Sequence, residues 1–249
     1  MNELKYKTSL ANKLGFIIIA FSVLSLYLIY INTVLHNAFG YICAAQSIAE
    51  AIVAACFAFW AVPISYFNPA VSSTHAGYWI GHILIYFYFL AVWLHFCKSM
   101  NRCFAIIFPI KYRVNFTIDI AKRLILGVLI LAFLSAGTSF LYPCNPYFNT
   151  TEHIWGSRDE QCWERIGKYA DRSVSAITAG GSLVFDVITW LYLLSINKKF
   201  KQHSATNSVN EKRFFFQTCL GTILHMIALS CSTIFVCMTD DLSIAIYRL

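Results

Sequence analysis

One long stretch, YWIGHILIYFYFLAVWLHFCKSMNRCFAIIFPIKY (Tyr78–Tyr112), sets the architecture of the chain. Its first part, Tyr78–Cys97, is an apolar run, and a bilayer core about 30 Å thick needs roughly 20 such residues in one helix. Its second part, Met100–Tyr112, is basic and begins with an Asn-Arg pair. The pattern predicts a membrane-spanning helix that closes at Asn101-Arg102, followed by a short loop that contains Pro109, Lys111 and Tyr112.

The composition defines the class of protein. Hydrophobic residues make up 58% of the 249 residues and charged residues only 12%. A soluble domain has about 45–50% apolar and about 25% charged residues, so the chain is a polytopic membrane protein. The net charge of +7 does not indicate nucleic-acid binding, because most positive residues fall in short loops, where they fix topology and meet anionic lipid headgroups. We expect membrane lipid, and no nucleic acid, among its partners.

Six apolar segments are long enough to span the bilayer. The predicted spans are about 14–31, 41–64, 78–102, 124–142, 173–196 and 214–237. The first could be a secretory signal peptide, but its apolar run exceeds the usual length and no small-residue cleavage site follows. The segment after Asp241 is too short for a seventh span. The sequence therefore predicts an all-α membrane protein, a single bundle over residues 1–249 with six transmembrane helices.

Lys and Arg residues orient the loops. The loops after spans three and five are rich in them, and the positive-inside rule makes both loops cytoplasmic. The residues are Lys98, Arg102, Lys111, Arg113, Lys122 and Arg123 in the first loop and Lys198, Lys199, Lys201, Lys212 and Arg213 in the second. The loop between spans two and three has none, which fits an outer position. The N-terminus is then outside, although Lys5, Lys7 and Lys13 precede span one.

The loop between spans four and five has two features of an extracellular segment. Asn149-Thr150-Thr151 is an N-glycosylation sequon, which is used only outside the cytosol, although the same pattern occurs at Asn115-Phe116-Thr117 in a basic loop. Cys144 and Cys162 flank the outer loop, and we expect a disulfide between them; the alternative is two unpaired thiols. The bridge would close a loop of about 17 residues, worth roughly 3 kcal/mol in the chain-entropy model.

Two acidic residues fall inside predicted spans, Glu50 in span two and Asp186 in span five. A charge at the bilayer centre costs about 2.5–3.5 kcal/mol even on the mildest scale, so each invites a functional interpretation. Glu50 is a candidate switch residue, and the alternative is a neutral or hydrogen-bonded carboxyl that faces the bundle interior. For Asp186 we expect a helix-packing hydrogen bond or a pairing with a basic group, and a switch role is the alternative.

Motifs for catalysis or metal binding are missing from the sequence. It has no HxxxH box, no GxSxG, HExxH or GxxxxGK[ST] pattern and no CxxC pair, so we expect neither enzyme activity nor a metal or cofactor. Aromatic residues crowd span three and could line a cavity for a small apolar ligand. Alternatively, each ring faces lipid or a neighbouring helix. They are Tyr78, Trp79, Tyr86, Phe87, Tyr88, Phe89, Trp93 and Phe96.

Five segments follow one another in a recognisable order. They are HNAFGYICAAQSIAEAI (His36–Ile52), NRCFAIIFPIKY (Asn101–Tyr112), Cys144…Trp155…Cys162…Tyr169-Ala170-Asp171, FDVIT in span five and EKRFFFQTC (Glu211–Cys219). Together, over about residues 36–238, they resemble the nematode chemoreceptors of serpentine receptor class X, which are seven-helix G-protein-coupled receptors. The resemblance implies a rhodopsin-like helical bundle that activates a heterotrimeric G protein when a small chemical cue binds among the helices.

The resemblance also implies roles for individual residues. By position, Arg102 would be the coupling arginine, with Asn101 as its neighbour; the alternative is an ordinary positive-inside anchor. Further expected coupling contacts are Pro109, Lys111 and Tyr112 in the second intracellular loop and Lys212 and Arg213 at the start of span six, the helix expected to swing outward. In rhodopsin-like receptors, a second-helix acid in a setting like that of Glu50 binds sodium and changes protonation with activation.

The sequence departs from the family pattern in three places. No seventh span is predicted, the first span lacks the usual Gly-Asn pair, and Asn101 replaces the acid expected before Arg102. The resulting expectation is a chemosensory receptor of the plasma membrane of a sensory cell, either whole or truncated. The alternatives are a non-signalling receptor fragment and a small membrane transporter.

Overall fold

The computed structural model of the protein describes residues 2–140, 144–150, 154–157, 159, 161–162 and 171–199. These residues are mainly helical, and the sheet among them is one two-stranded hairpin. The expected all-α class is therefore confirmed. The chain divides into two compact units, Met1–Thr178 and Ala179–Leu249. Predicted span six, 214–237, and the neighbouring Lys212 and Arg213 lie outside the described residues.

Seven helices occur among the described residues. They are α1 Asn2–Ile31, α2 Ala38–Ala55, α3 Val62–Phe67, α4 His75–Ile107, α5 Pro109–Asn115, α6 Ile118–Ala136 and α7 Arg172–Lys199, and 3-10 turns occupy Thr33–Leu35, Pro69–Ser73 and Gly137–Phe140. Within this part of the chain, four stretches are long and apolar enough to cross a membrane: Lys13–Ile31, Ala38–Phe67, His75–Ile107 and Arg172–Ser195. The α6 helix lies at predicted span four but becomes apolar only after Arg123.

The helix of predicted span two passes through a proline without ending. A π-helical turn, Cys56–Ala61, joins α2 to α3, and Pro63 lies in the first turn of α3. The Val62 N–H bonds to the Phe57 carbonyl, the wider spacing of a π-helix. Because proline has no N–H and crowds the preceding turn, this wider turn accommodates it and the helix continues to Phe67.

The α4 helix ends later than its sequence predicts. It continues past Arg102 to Ile107, because the intervening residues contain no helix breaker. Phe108 leaves the helical region with φ −124° and ψ 58°, the bias expected of a residue that precedes proline. Pro109 then occupies the first turn of α5, where its missing N–H costs nothing. Arg102 therefore lies inside a helix, more than one turn before its end.

The core of the first unit surrounds α4, which packs against α2, α6 and the hairpin. Buried residues of three helices meet there: Ile42 and Ala49 of α2, Ile85, Phe89, Leu90 and Leu94 of α4, and Val128, Ala132 and Ala136 of α6. Small residues on α2 and α6 let the helix backbones approach closely, as is common in membrane bundles. One polar contact joins α4 to α6, since the Trp93 indole N–H donates to Ser135 Oγ at 3.2 Å.

The α7 helix buries polar side chains and exposes apolar ones. Ser182, Asp186 and Thr189 are buried, whereas Leu183, Val184, Val187, Ile188, Leu191 and Leu194 are exposed. A helix in water would reverse this pattern, while a helix in lipid keeps polar groups inside. The Thr189 hydroxyl donates to the Phe185 carbonyl at 2.6 Å, which satisfies one of these groups within the helix itself.

The hairpin consists of β1, Pro146–Asn149, and β2, Ile154–Ser157, paired antiparallel with Pro146 opposite Ser157. It lies on the first turns of α4. The Ser72 hydroxyl donates to the Phe148 carbonyl, and the Tyr78 and Tyr147 rings meet edge to face with centroids 6.4 Å apart. The hairpin is thus attached to the end of α4 opposite Arg102.

Candidate functional site

The Arg102 side chain is buried at the end of α4 that the loop charges assign to the cytoplasm. Its Nη2 donates to Ser99 Oγ at 3.0 Å. Only 4% of Arg102 is exposed, and Asn101 and Ser99 are fully buried. Arginine is rarely buried unless it is paired. The end of α4 therefore holds a positive charge inside the first unit and away from solvent.

We call Ser99, Asn101 and Arg102 the Arg102 group, and Tyr112 of α5 lies close to it. Its side chain is half-buried, and its hydroxyl lies near the Asn101 amide. Burial raises the pKa of Tyr112, and the amide, as a hydrogen-bond donor, lowers that pKa in part. The approach falls short of normal hydrogen-bond geometry, and the Asn101 amide makes no such bond to any described residue. Proximity to Asn101 thus directs Tyr112 inward.

The other predicted loop contacts face outward on α5. Pro109 and Lys111 are exposed, as are two large apolar residues, Ile110 at 80% and Val114 at 72%. The Lys111 Nζ lies 5.9 Å from the centre of the Phe108 ring. We call the exposed residues Pro109, Ile110, Lys111, Arg113 and Val114 the α5 patch. It combines apolar side chains with two cations beyond the end of a membrane-length helix.

Glu50 lies on α2 and is half-buried. Gln46, one turn earlier, donates from Nε2 to Glu50 Oε1 at 2.7 Å. The Cys43 thiol, one turn earlier again, lies within electrostatic range of Lys98, Arg102 and Glu50. The first half of α2 therefore lies beside the Arg102 end of α4. Glu50 and Arg102 both lie in the first unit, and Asp186 is buried on α7 in the second unit.

Cys144 precedes β1 in the sequence, and Cys162 follows β2. Their Cα atoms are 5.5 Å apart, within the usual range for a disulfide. Asn149, the sequon residue, is the last residue of β1 and is half-buried. The fold therefore joins in space the two cysteines that the hairpin separates in the sequence.

One polar cluster was not foreseen from the sequence. The Tyr88 hydroxyl donates to Asp171 Oδ1 at 2.8 Å, the Ser175 hydroxyl donates to the same oxygen at 3.1 Å, and the two hydroxyls are 3.2 Å apart. In the sequence, Asp171 is one more charge of the outer loop, and Tyr88 is one more ring of span three. The four-residue spacing of Asp171 and Ser175 places both on one helix face, but no sequence signal joins that face to Tyr88.

No group of three or more His, Cys, Asp or Glu side chains among the described residues could hold a metal ion. Polar side chains in this part of the chain instead form small hydrogen-bonded groups, within α4 for Arg102 and Ser99, within α2 for Glu50 and Gln46, and between α4 and the start of α7 for Tyr88, Asp171 and Ser175.

The family described as serpentine type 7TM GPCR chemoreceptor Srx matches residues 14–247. No curated protein matches the chain. The family match covers all seven described helices in whole or in part and includes the Arg102 group, the hairpin and the Tyr88 cluster. The chain belongs to the Srx family of serpentine seven-helix G-protein-coupled chemoreceptors.

Proposed function

We propose that this protein is a chemosensory receptor of the plasma membrane of a sensory cell, which binds a small-molecule cue among its helices and activates a heterotrimeric G protein. The observation that carries the proposal is the buried Arg102 at one end of α4, with the exposed α5 patch immediately after it. The family membership gives this arrangement its expected purpose.

The burial of Arg102 favours a coupling role over an anchoring role. An arginine that only anchors a helix end extends its guanidinium to headgroups and water. Arg102 is instead 4% exposed and bonded to Ser99. A buried cation that loses its partners is costly, because its charge is then uncompensated. If the helices separate at the Arg102 end of α4, the guanidinium loses its present partners. A new partner for the charge, such as a group on a G protein, would then be favourable.

The α5 patch supports a protein partner at the same end. Ile110 and Val114 expose most of their surface beyond the span, and Lys111 and Arg113 lie between them in the sequence. Protein interfaces combine an apolar centre with a polar rim. A G-protein surface with apolar and acidic groups would complement this patch. Tyr112, near Asn101, would link the patch to the Arg102 group.

Glu50 is the proposed switch residue within the membrane. Its carboxyl accepts a hydrogen bond from Gln46. Asp186, buried on α7, is the second proposed intramembrane acid. On the outer side, we propose a Cys144–Cys162 disulfide that holds the hairpin and a glycan on Asn149.

Ligand-stimulated nucleotide exchange tests the proposal. The full chain in lipid nanodiscs is mixed with a G-protein heterotrimer, and exchange is followed as candidate cues are added. We expect at least one cue to accelerate exchange and Arg102→Ala to abolish that acceleration. Arg123→Ala is the matched control, since Arg123 lies elsewhere, on α6, and should retain the response. The coupling role is disproved if no cue acts on correctly inserted receptor, or if Arg102→Ala responds as well as the control.

A further inference from the structure

We propose that Tyr88, Asp171 and Ser175 bind the protonated amine of a small organic ligand. This assignment rests on the proposed function, since it names the chemical class of the cue and its point of attachment. The Tyr88 cluster lies entirely in the first unit, between α4 and the start of α7. It is separate from the Arg102 group, which lies near the C-terminal end of α4.

The cluster lies deep along α4. Tyr88 is about 20 Å from His75, the first residue of α4, at about 1.5 Å per residue. Asp171 reaches this depth to accept the Tyr88 hydrogen bond at 2.8 Å. Asp171 itself directly precedes α7, which begins at Arg172, so this hydrogen bond ties the start of α7 to a point well inside α4.

The carboxylate is oriented but not neutralised by its partners. Both hydroxyls donate to Oδ1, and neither carries a positive charge. Oδ2 accepts no hydrogen bond from a described residue, and Asp171 remains partly exposed. Two donors on one oxygen fix the plane of the carboxylate, which leaves the second oxygen as an acceptor of defined direction. A cationic donor placed there would form a charge-assisted hydrogen bond.

The surroundings suit an organic cation better than a hydrated metal ion. The Tyr88 ring is partly exposed beside Asp171, and Val174, next to Ser175, packs against the apolar core. Aromatic faces attract cations that are shielded from water, and apolar side chains bury the carbon skeleton of a ligand. A primary amine on a short aromatic or alkyl skeleton would place its ammonium group at the Asp171 carboxylate and its carbon atoms against the Tyr88 ring.

Thermal unfolding of the purified full chain tests the assignment without a G protein. The probes are two pairs that share a carbon skeleton: phenethylamine with 2-phenylethanol, and hexylamine with 1-hexanol. We expect the amines to raise the unfolding midpoint and the alcohols to have little effect. Asp171→Asn should weaken amine binding about tenfold or more, because it removes a charge-assisted hydrogen bond. Asp119→Asn, at an exposed acid of α6, is the matched control.

Two further variants keep the test valid if Asp171→Asn does not fold. Tyr88→Phe and Ser175→Ala each retain the charge but remove one donor from Oδ1, so each should weaken amine binding by a smaller factor. The proposal is overturned if amines and alcohols bind equally, if no amine binds, or if the variants lower the ligand-free midpoint without changing the preference for amines. Nucleotide exchange driven by another cue would then leave the proposed function intact. Conversely, amine binding without exchange would uphold the site and contradict the coupling.

Discussion

The backbone carbonyl of Pro146 in β1 lies directly against Gly81 of α4, so closely that a β-carbon at position 81 would overlap it. The hairpin therefore depends on a helix residue without a side chain. We predict that Gly81→Ala destabilises the protein by about 1–3 kcal/mol, the usual cost of overpacking. Gly127→Ala is the control, because a β-carbon added at position 127 would meet no atom within 4 Å and alanine favours helix by about 1 kcal/mol. Thermal unfolding in detergent should separate the two, and equal midpoints would contradict the close contact.

The two sequons should differ in use. Asn149 is at the end of the outer hairpin, and Asn115 is exposed at the end of α5, beside the basic loop. If that loop is cytoplasmic, only Asn149 can receive a glycan. We predict that glycosidase treatment shifts the wild-type chain on a gel, that Asn149→Gln removes the shift and that Asn115→Gln retains it. The reverse result would invert the proposed topology.

The Trp93–Ser135 hydrogen bond offers a measure of the α4–α6 contact. Interhelical hydrogen bonds in membranes contribute about 0.6 kcal/mol on average and about 1.7 kcal/mol at most. Ser135 also donates to the Leu131 carbonyl, so a single substitution mixes two effects. We predict that a double-mutant cycle of Trp93→Phe and Ser135→Ala, read by the free energy of unfolding, gives a coupling in that range. A coupling of zero would mean that the bond has no net effect.

Tyr112 should make stability depend on pH at the alkaline end. Burial raises its pKa in the folded state above the ordinary value of 10.0. The folded protein therefore holds the phenol proton more tightly than the unfolded chain does. This contribution is fully present below about pH 10 and is lost as the pH rises through the folded-state pKa. We predict a steeper alkaline fall in the unfolding midpoint for wild type than for Tyr112→Phe, and parallel curves would contradict it.

Most of the helices can be predicted from the sequence, because a bilayer requires each spanning segment to be helical. Each span must be a long apolar helix, since unpaired backbone groups are too costly in lipid, and the apolar runs are visible in the chain. The sequence predicts the end of α4 at Arg102, because a charged residue interrupts the apolar run there, but the helix extends to Ile107. The backbone continues until Pro109 prevents it. Pro63 shows the opposite case, in which a π-turn accommodates the proline and the helix does not end.

The candidate sites were only partly accessible to sequence reasoning. The Asn101-Arg102 pair and Glu50 stand out because polar residues are rare in apolar runs. Their burial and partners depend on neighbouring helices, which a linear pattern does not contain. The inward direction of Tyr112, next to exposed Lys111, also required the contact between α5 and Asn101. The spacing of residues along one helix predicts which side chains share a face. The position of a neighbouring helix determines which residues that face contacts.

The sequence alone determined that this protein is a helical membrane protein of a receptor family, because composition, span length and ordered motifs are properties of the chain itself. Only the tertiary structure decided that Asp171 joins Tyr88, that Pro146 rests on Gly81 and that Arg102 is buried. The first two contacts join residues that are distant in sequence. The burial of Arg102 depends on the residues that surround its side chain. Such relationships arise from close packing between elements, and packing is fixed by the fold as a whole.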